Sequence, residues 1–172
     1  MLGPYPPKAI ANAFLQRAFN DKKACGHLKL QKLVYLSHGY YLALTGGVPL
    51  VNEPFEAWDY GPVCRSLYVE FRDHGKAPID RLATEVDWDA EQFLPVPAPT
   101  SDATVNKVVD FVYTTYIDRS AFALSDLTHQ TGWAWDKTRK ADKFGLRNVD
   151  IPNDMIAEDF KSHIKPKARV DA

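Results

Sequence analysis

The chain has 172 residues, enough for one domain with tails, and a domain of that size buries about 70% of its unfolded surface without needing a metal or a disulfide. Hydrophobic residues make up 45% and charged residues 25%, which excludes a disordered chain, and a net charge of -1 gives no overall pull toward nucleic acid or an anionic membrane. Two cysteines, Cys25 and Cys64, build no disulfide framework and suit a reducing compartment. The first residues lack a signal-peptide pattern, and no apolar run approaches the roughly 20 residues of a membrane span, so a soluble cytoplasmic protein is expected.

Taken in chain order, Pro7 suits the opening turn of a helix on which Ile10, Ala11, Phe14, Leu15, Ala18 and Phe19 recur at helical spacing. A second helix carries Leu30, Leu33, Val34, Leu36, Tyr40, Tyr41 and Leu44, and stops at Gly46-Gly47; its broad apolar face predicts a central helix covered on several sides. Residues 51–60 alternate as a short strand or extended pair. Gly61-Pro62 then reads as a break, with Pro62 opening a helix through Val63, Leu67, Val69 and Phe71 that ends at Gly75 and Pro78. The proline-rich stretch from Ala77 to Thr104, with its acidic patch of Glu85, Asp87, Asp89 and Glu91, reads as a long surface loop.

Val105, Val108, Val109, Val112, Tyr113 and Tyr116 keep a 3.6-residue period long enough to predict a helix despite the valines. Ser125 is read as the N-cap of a short helix through His129, and Gly132 separates it from a segment bearing Trp133 and Trp135. Pro152 opens a last helix with Met155, Ile156 and Phe160. The expected fold is mainly α, a single compact helical domain over 1–164 with a short β element near residues 51–60, followed by a basic, flexible tail at 165–172.

No catalytic or metal motif emerges. Cys25, His27, His38, Cys64, His74, His129 and His163 show no metal-ligand spacing, so no metal and no cofactor are expected. Cys64, in the first turn of a predicted helix, has no histidine within the same helix to serve as base, and a small core residue is the simpler reading. Lys137, Arg139, Lys140, Lys143 and Arg147 form a basic cluster, but Asp136, Asp142, Asp150 and Asp154 are interleaved; a nucleic-acid-binding regulator is therefore the rival reading rather than the leading one. Trp58, Tyr60, Trp133 and Trp135 sit beside turns and polar residues, with Arg65 close to Tyr60-Gly61, and these are the residue types that dominate protein interfaces. They are the candidate partner-binding residues, with Trp135 and Arg65 the favoured exposed anchors.

The segments Leu28–Tyr40, Phe55–Val63 with Leu67 and Phe71, and Leu127-Thr-His129 with Trp133 resemble the motifs of the Panacea domain, a family of SocA-like antitoxins and phage-associated proteins. The Trp58-Asp-Tyr-Gly-Pro62 string is the specific part. The resemblance implies a mostly helical bacterial antitoxin, not an enzyme, that binds and neutralises a cognate protein toxin, with delivery to an ATP-dependent protease as one route. Lys32, Trp58, Tyr60, Gly61, Pro62, His129 and Trp133 match the family motifs. Among them Lys32, Gly61, Pro62 and His129 are expected to build a polar clasp, Lys32 meeting Glu56, Asp59 or an aromatic face and His129 a last-turn carbonyl or Tyr60. The resemblance leaves the oligomeric state open, along with whether each motif residue serves interface or core.

Overall fold

The computed structural model describes residues 3–164. Its helices are α1 (Pro7–Asn20), α2 (His27–Thr45), α3 (Arg65–Phe71), α4 (Ala103–Tyr116), α5 (Ala121–Thr128), α6 (Ala134–Ala141) and α7 (Asn153–Lys161). The strands are β1 (Phe55–Trp58), β2 (Gly61–Val63), β3 (Thr84–Asp87), β4 (Gln92–Pro95) and β5 (Asp150–Ile151). The fold is mainly α. The basic tail 165–172 lies outside the described residues.

α2 is the axle. It packs against α1, α3, α4, α5 and α7, which explains why its apolar residues go nearly all the way round. It ends where Gly46 adopts the left-handed conformation (φ 71°) that a glycine takes without a Cβ penalty. Gly39 lets α7 cross close: a Cβ there would fall 2.2 Å from the Phe160 ring. Tyr35 meets Phe55 edge-on at 5.2 Å and Tyr40 meets Phe160 at 4.9 Å, tying α2 to β1 and α7. One hydrophobic core runs from Ile10 in α1 to Phe160 in α7.

Four local expectations are corrected. Gly61-Pro62 does not break the strand; it continues into β2, which pairs antiparallel with β1 (Ala57 opposite Pro62, Trp58 opposite Gly61) around a turn at Asp59-Tyr60. β2 lies at the edge of the β2-β1-β5 sheet, where a proline is tolerated because its missing N–H can face away from the neighbour. The following helix therefore starts at Arg65, and it ends at Phe71, short of Gly75, with a 3-10 turn over Arg72–His74 between. The supposed loop from Ala77 to Thr104 contains the β3–β4 hairpin, with Val86 opposite Phe93. Finally, Ser125 is interior to α5. The cap is Ser120, whose hydroxyl accepts the Ala123 N–H at 3.1 Å.

Candidate functional site

The motif residues converge on the turn between β1 and β2. Four backbone carbonyls there are held by side chains from three helices. Arg139 of α6 donates to the Ala57 carbonyl at 3.2 Å, and the Trp135 indole N–H, also from α6, to Trp58 at 2.8 Å. Ser125 of α5 donates to Tyr60 at 3.1 Å, and Lys32 of α2 to Pro62 at 3.0 Å. Gln31, next along α2, grips the Cys64 backbone from both sides, donating to its carbonyl at 3.0 Å and accepting its N–H at 2.8 Å. Buried carbonyls cost free energy unless paired, so this set fixes the turn against three helices.

Lys32 is fully buried, and among the described residues its ammonium meets no carboxylate. Burial alone pushes its pKa down to about 7. The expected partners are engaged elsewhere: Glu56 accepts Arg65 through two bonds of 2.9 Å and the Trp58 indole at 2.6 Å, while Asp59 pairs with Arg139 at 2.8 Å and Arg147 at 3.5 Å. Gly61 sits at φ 106°, and a Cβ there would lie 2.8 Å from Lys32 Cε and 3.0 Å from Thr128 Oγ1. Glycine is needed here for both the backbone and the space.

His129 does not reach Tyr60; Ser125 makes that connection. Its ring stacks on Trp135 at 3.8 Å with an interplanar angle of 13°, and its buried Nε2 has no hydrogen-bond partner among the described residues. Desolvation lowers its pKa, with the Lys32 charge adding to the effect.

The aromatic residues divide by exposure. Tyr60 at the turn is 68% exposed, and Arg65 is exposed over the Trp58 ring at 5.6 Å. Trp58, Trp133 and Trp135 are only partly open: Trp58 lies against Tyr68 at 4.7 Å, and Trp133 against Phe160 at 5.7 Å. Trp135 is not the free ring that its polar sequence setting suggests, since its indole N–H and one face are used inside the molecule. Sequence reading missed Gln31 and Thr128, which look like ordinary helix residues. It also missed Phe122, which is 71% exposed at the start of α5.

Two shallow cavities adjoin this turn. One of ≈ 400 Å³ is lined by His27, Leu28, Gln31, Trp58, Tyr60 and Tyr68 among others. The second, ≈ 690 Å³, shares His27, Leu28 and Tyr60 with the first and continues to Pro78 and Phe122. Both are mainly apolar and border the same three residues, making a furrow with Tyr60 at its rim.

Chemistry-bearing groups are sparse around it. Cys64 is fully buried, its thiol pushed up to about 12 by desolvation, and Cys25 is likewise raised to about 11. Among the described residues no group of three or more His, Cys, Asp or Glu side chains could hold a metal ion, and no helix is long and apolar enough to cross a membrane. In the basic cluster, Arg139 and Arg147 pair with Asp59, and Lys140 with Asp136 at 2.8 Å.

The family model described as antitoxin SocA-like, Panacea domain matches residues 30–136, from within α2 to within α6. The chain is also similar to a protein named Antitoxin SocA from Caulobacter vibrioides (strain NA1000 / CB15N): the two are 34% identical over 129 residues, covering 75% of this chain and 68% of the relative. No solved structure matches the chain. On the extent of the family match and the identity to this relative, the chain belongs to the SocA-like antitoxin family of the Panacea domain.

Proposed function

We propose that this protein is the antitoxin of a toxin–antitoxin pair and that it neutralises a cognate protein toxin by binding it in the cytoplasm. The observation that carries the reading is the 34% identity to Antitoxin SocA over most of the chain. The geometry suits contact rather than catalysis: an apolar furrow with an exposed aromatic at its rim, no accessible thiol, and a buried lysine that meets only a carbonyl. In this reading Tyr60 and Arg65 are the partner-facing anchors, while Trp58, Trp133 and Trp135 shape the face from behind. Lys32, Gly61, Pro62 and His129 hold the turn that presents them. Handing the bound toxin to an ATP-dependent protease is compatible with the same contact.

The test is co-expression with the neighbouring gene. Cells should tolerate that gene only when this protein is present, and neutralisation should survive replacement of both cysteines. Toxicity unaffected by the wild-type protein would refute the reading. A salt-sensitive mobility shift with operator DNA would favour the regulator instead.

A further inference from the structure

The β3–β4 hairpin belongs to neither sheet nor furrow, yet its root is fixed with unusual care. Asn12, fully buried on α1, donates to the Ala83 carbonyl at 2.9 Å and the Val96 carbonyl at 2.8 Å, and accepts the Ala83 N–H at 2.7 Å. Glu70 of α3 accepts the Thr84 N–H at 3.1 Å and pairs with Lys8 at 2.9 Å, and Lys8 in turn donates to the Thr84 carbonyl at 2.8 Å. A buried amide and a partly buried carboxylate are thus spent on one root.

The tip is open at its aromatic residues. Trp88 is 83% exposed and Phe93 71%, and the register places Phe93 opposite Val86 on one face of the ribbon. A two-stranded ribbon with an uncovered apolar face is marginal by itself, so the anchored root is what holds this one in place. Between Thr84 and Pro95 stand four carboxylates (Glu85, Asp87, Asp89, Glu91) and no lysine or arginine, in a chain whose net charge is only -1. Asp87 accepts the Asp89 and Ala90 N–H groups at 3.0 Å each and so forms the turn. Among the described residues Glu85, Asp89 and Glu91 have no ion-pair partner. Strand addition at the edges is poorly served: Pro95 offers no N–H, and both backbone groups of Thr84 are already taken.

We propose that this hairpin is a preorganised arm that grips the toxin, its exposed Trp88 and Phe93 rings entering an apolar cleft and its carboxylates meeting lysines and arginines around that cleft. The proposal rests on the antitoxin reading and adds the partner's chemistry to it: the recognised surface of the toxin is cationic. Opposite charge across the contact speeds association, and the buried aromatics slow dissociation.

The test uses the full-length protein and the purified product of the neighbouring gene as probe. Trp88→Ala/Phe93→Ala should weaken binding by roughly thirtyfold or more, mainly through faster dissociation. Glu85→Lys/Asp89→Lys should slow association on the order of tenfold at about 0.1 M salt, with the difference shrinking toward about 1 M as charges are screened. Neither change touches the core, so circular dichroism and melting temperature should stay those of the wild type. Wild-type kinetics in both variants would overturn the assignment while leaving the antitoxin reading intact. A wild-type protein that neither binds nor neutralises the probe would overturn both.

Discussion

Replacing Lys32 with methionine tests the heart of the motif cluster. The substitution keeps the apolar stem and removes the amine, leaving the Pro62 carbonyl without its 3.0 Å donor. Lys32 is fully buried and meets no carboxylate among the described residues, and burial lowers its pKa from 10.5 to about 7. Between those values the unfolded chain binds a proton that the folded chain refuses, so wild-type stability rises with pH across the window. The contribution of the neutral amine is fully present above 10.5 and is lost as pH falls through about 7. At about 1.4 kcal/mol per unit, the whole window is worth up to about 4–5 kcal/mol. Against this, an orphaned buried carbonyl costs about 1–3 kcal/mol at every pH. The two stability curves should therefore cross: Lys32→Met is the more stable protein below about 7 and the less stable one toward 10.5. Urea unfolding followed by tryptophan fluorescence, at several pH values for both proteins, measures this directly. A difference that stays constant across the window would show that no unpaired amine is buried there.

Gly61→Ala should destabilise by about 2–4 kcal/mol, because a Cβ at φ 106° would press 2.8 Å from Lys32 Cε; thermal unfolding measures it. Asn12→Ala strands the Ala83 N–H and the Val96 carbonyl at the root of the β3–β4 hairpin, while the Ala83 carbonyl keeps the Val96 N–H at 3.0 Å, and should cost about 2–3 kcal/mol, with amide exchange rising first in residues 83–96. His38, which accepts the Val51 N–H at 3.4 Å and lies 2.8 Å from Asn153 Oδ1, has its pKa pushed by burial from 6.5 to about 4. Stability from the neutral ring is complete above 6.5 and lost as pH falls toward 4, by about 3 kcal/mol, and His38→Gln should flatten that limb of the pH profile.

Much of the helical frame is legible in the sequence because burial writes a period into it. α2 shows this best, its apolar face broad because five helices cover it, and the Gly46 stop needs only local backbone chemistry. β2 was hidden by Gly61-Pro62, residues that normally punctuate but that suit an edge strand closing a two-residue turn. The β3–β4 hairpin was hidden for a different reason: its apolar face meets no core, so its alternation is short and diluted by acids and prolines. The same physics limits the site. Trp135 in a polar stretch reads as exposed, and only the fold shows its indole N–H turned inward to Trp58. Ser125 reads as a cap, and only the long-range contact with Tyr60 shows what its hydroxyl holds. A residue's partners across the chain leave no local trace.

Neutralisation by contact is the central claim, and calorimetric titration of this protein into the purified product of its neighbouring gene tests it most directly. The account requires a defined stoichiometric complex, with the toxin's activity falling in step with occupancy in a reaction that contains no protease and no DNA. Toxin activity that persists at saturation, or rescue of cells without any complex in solution, would contradict it.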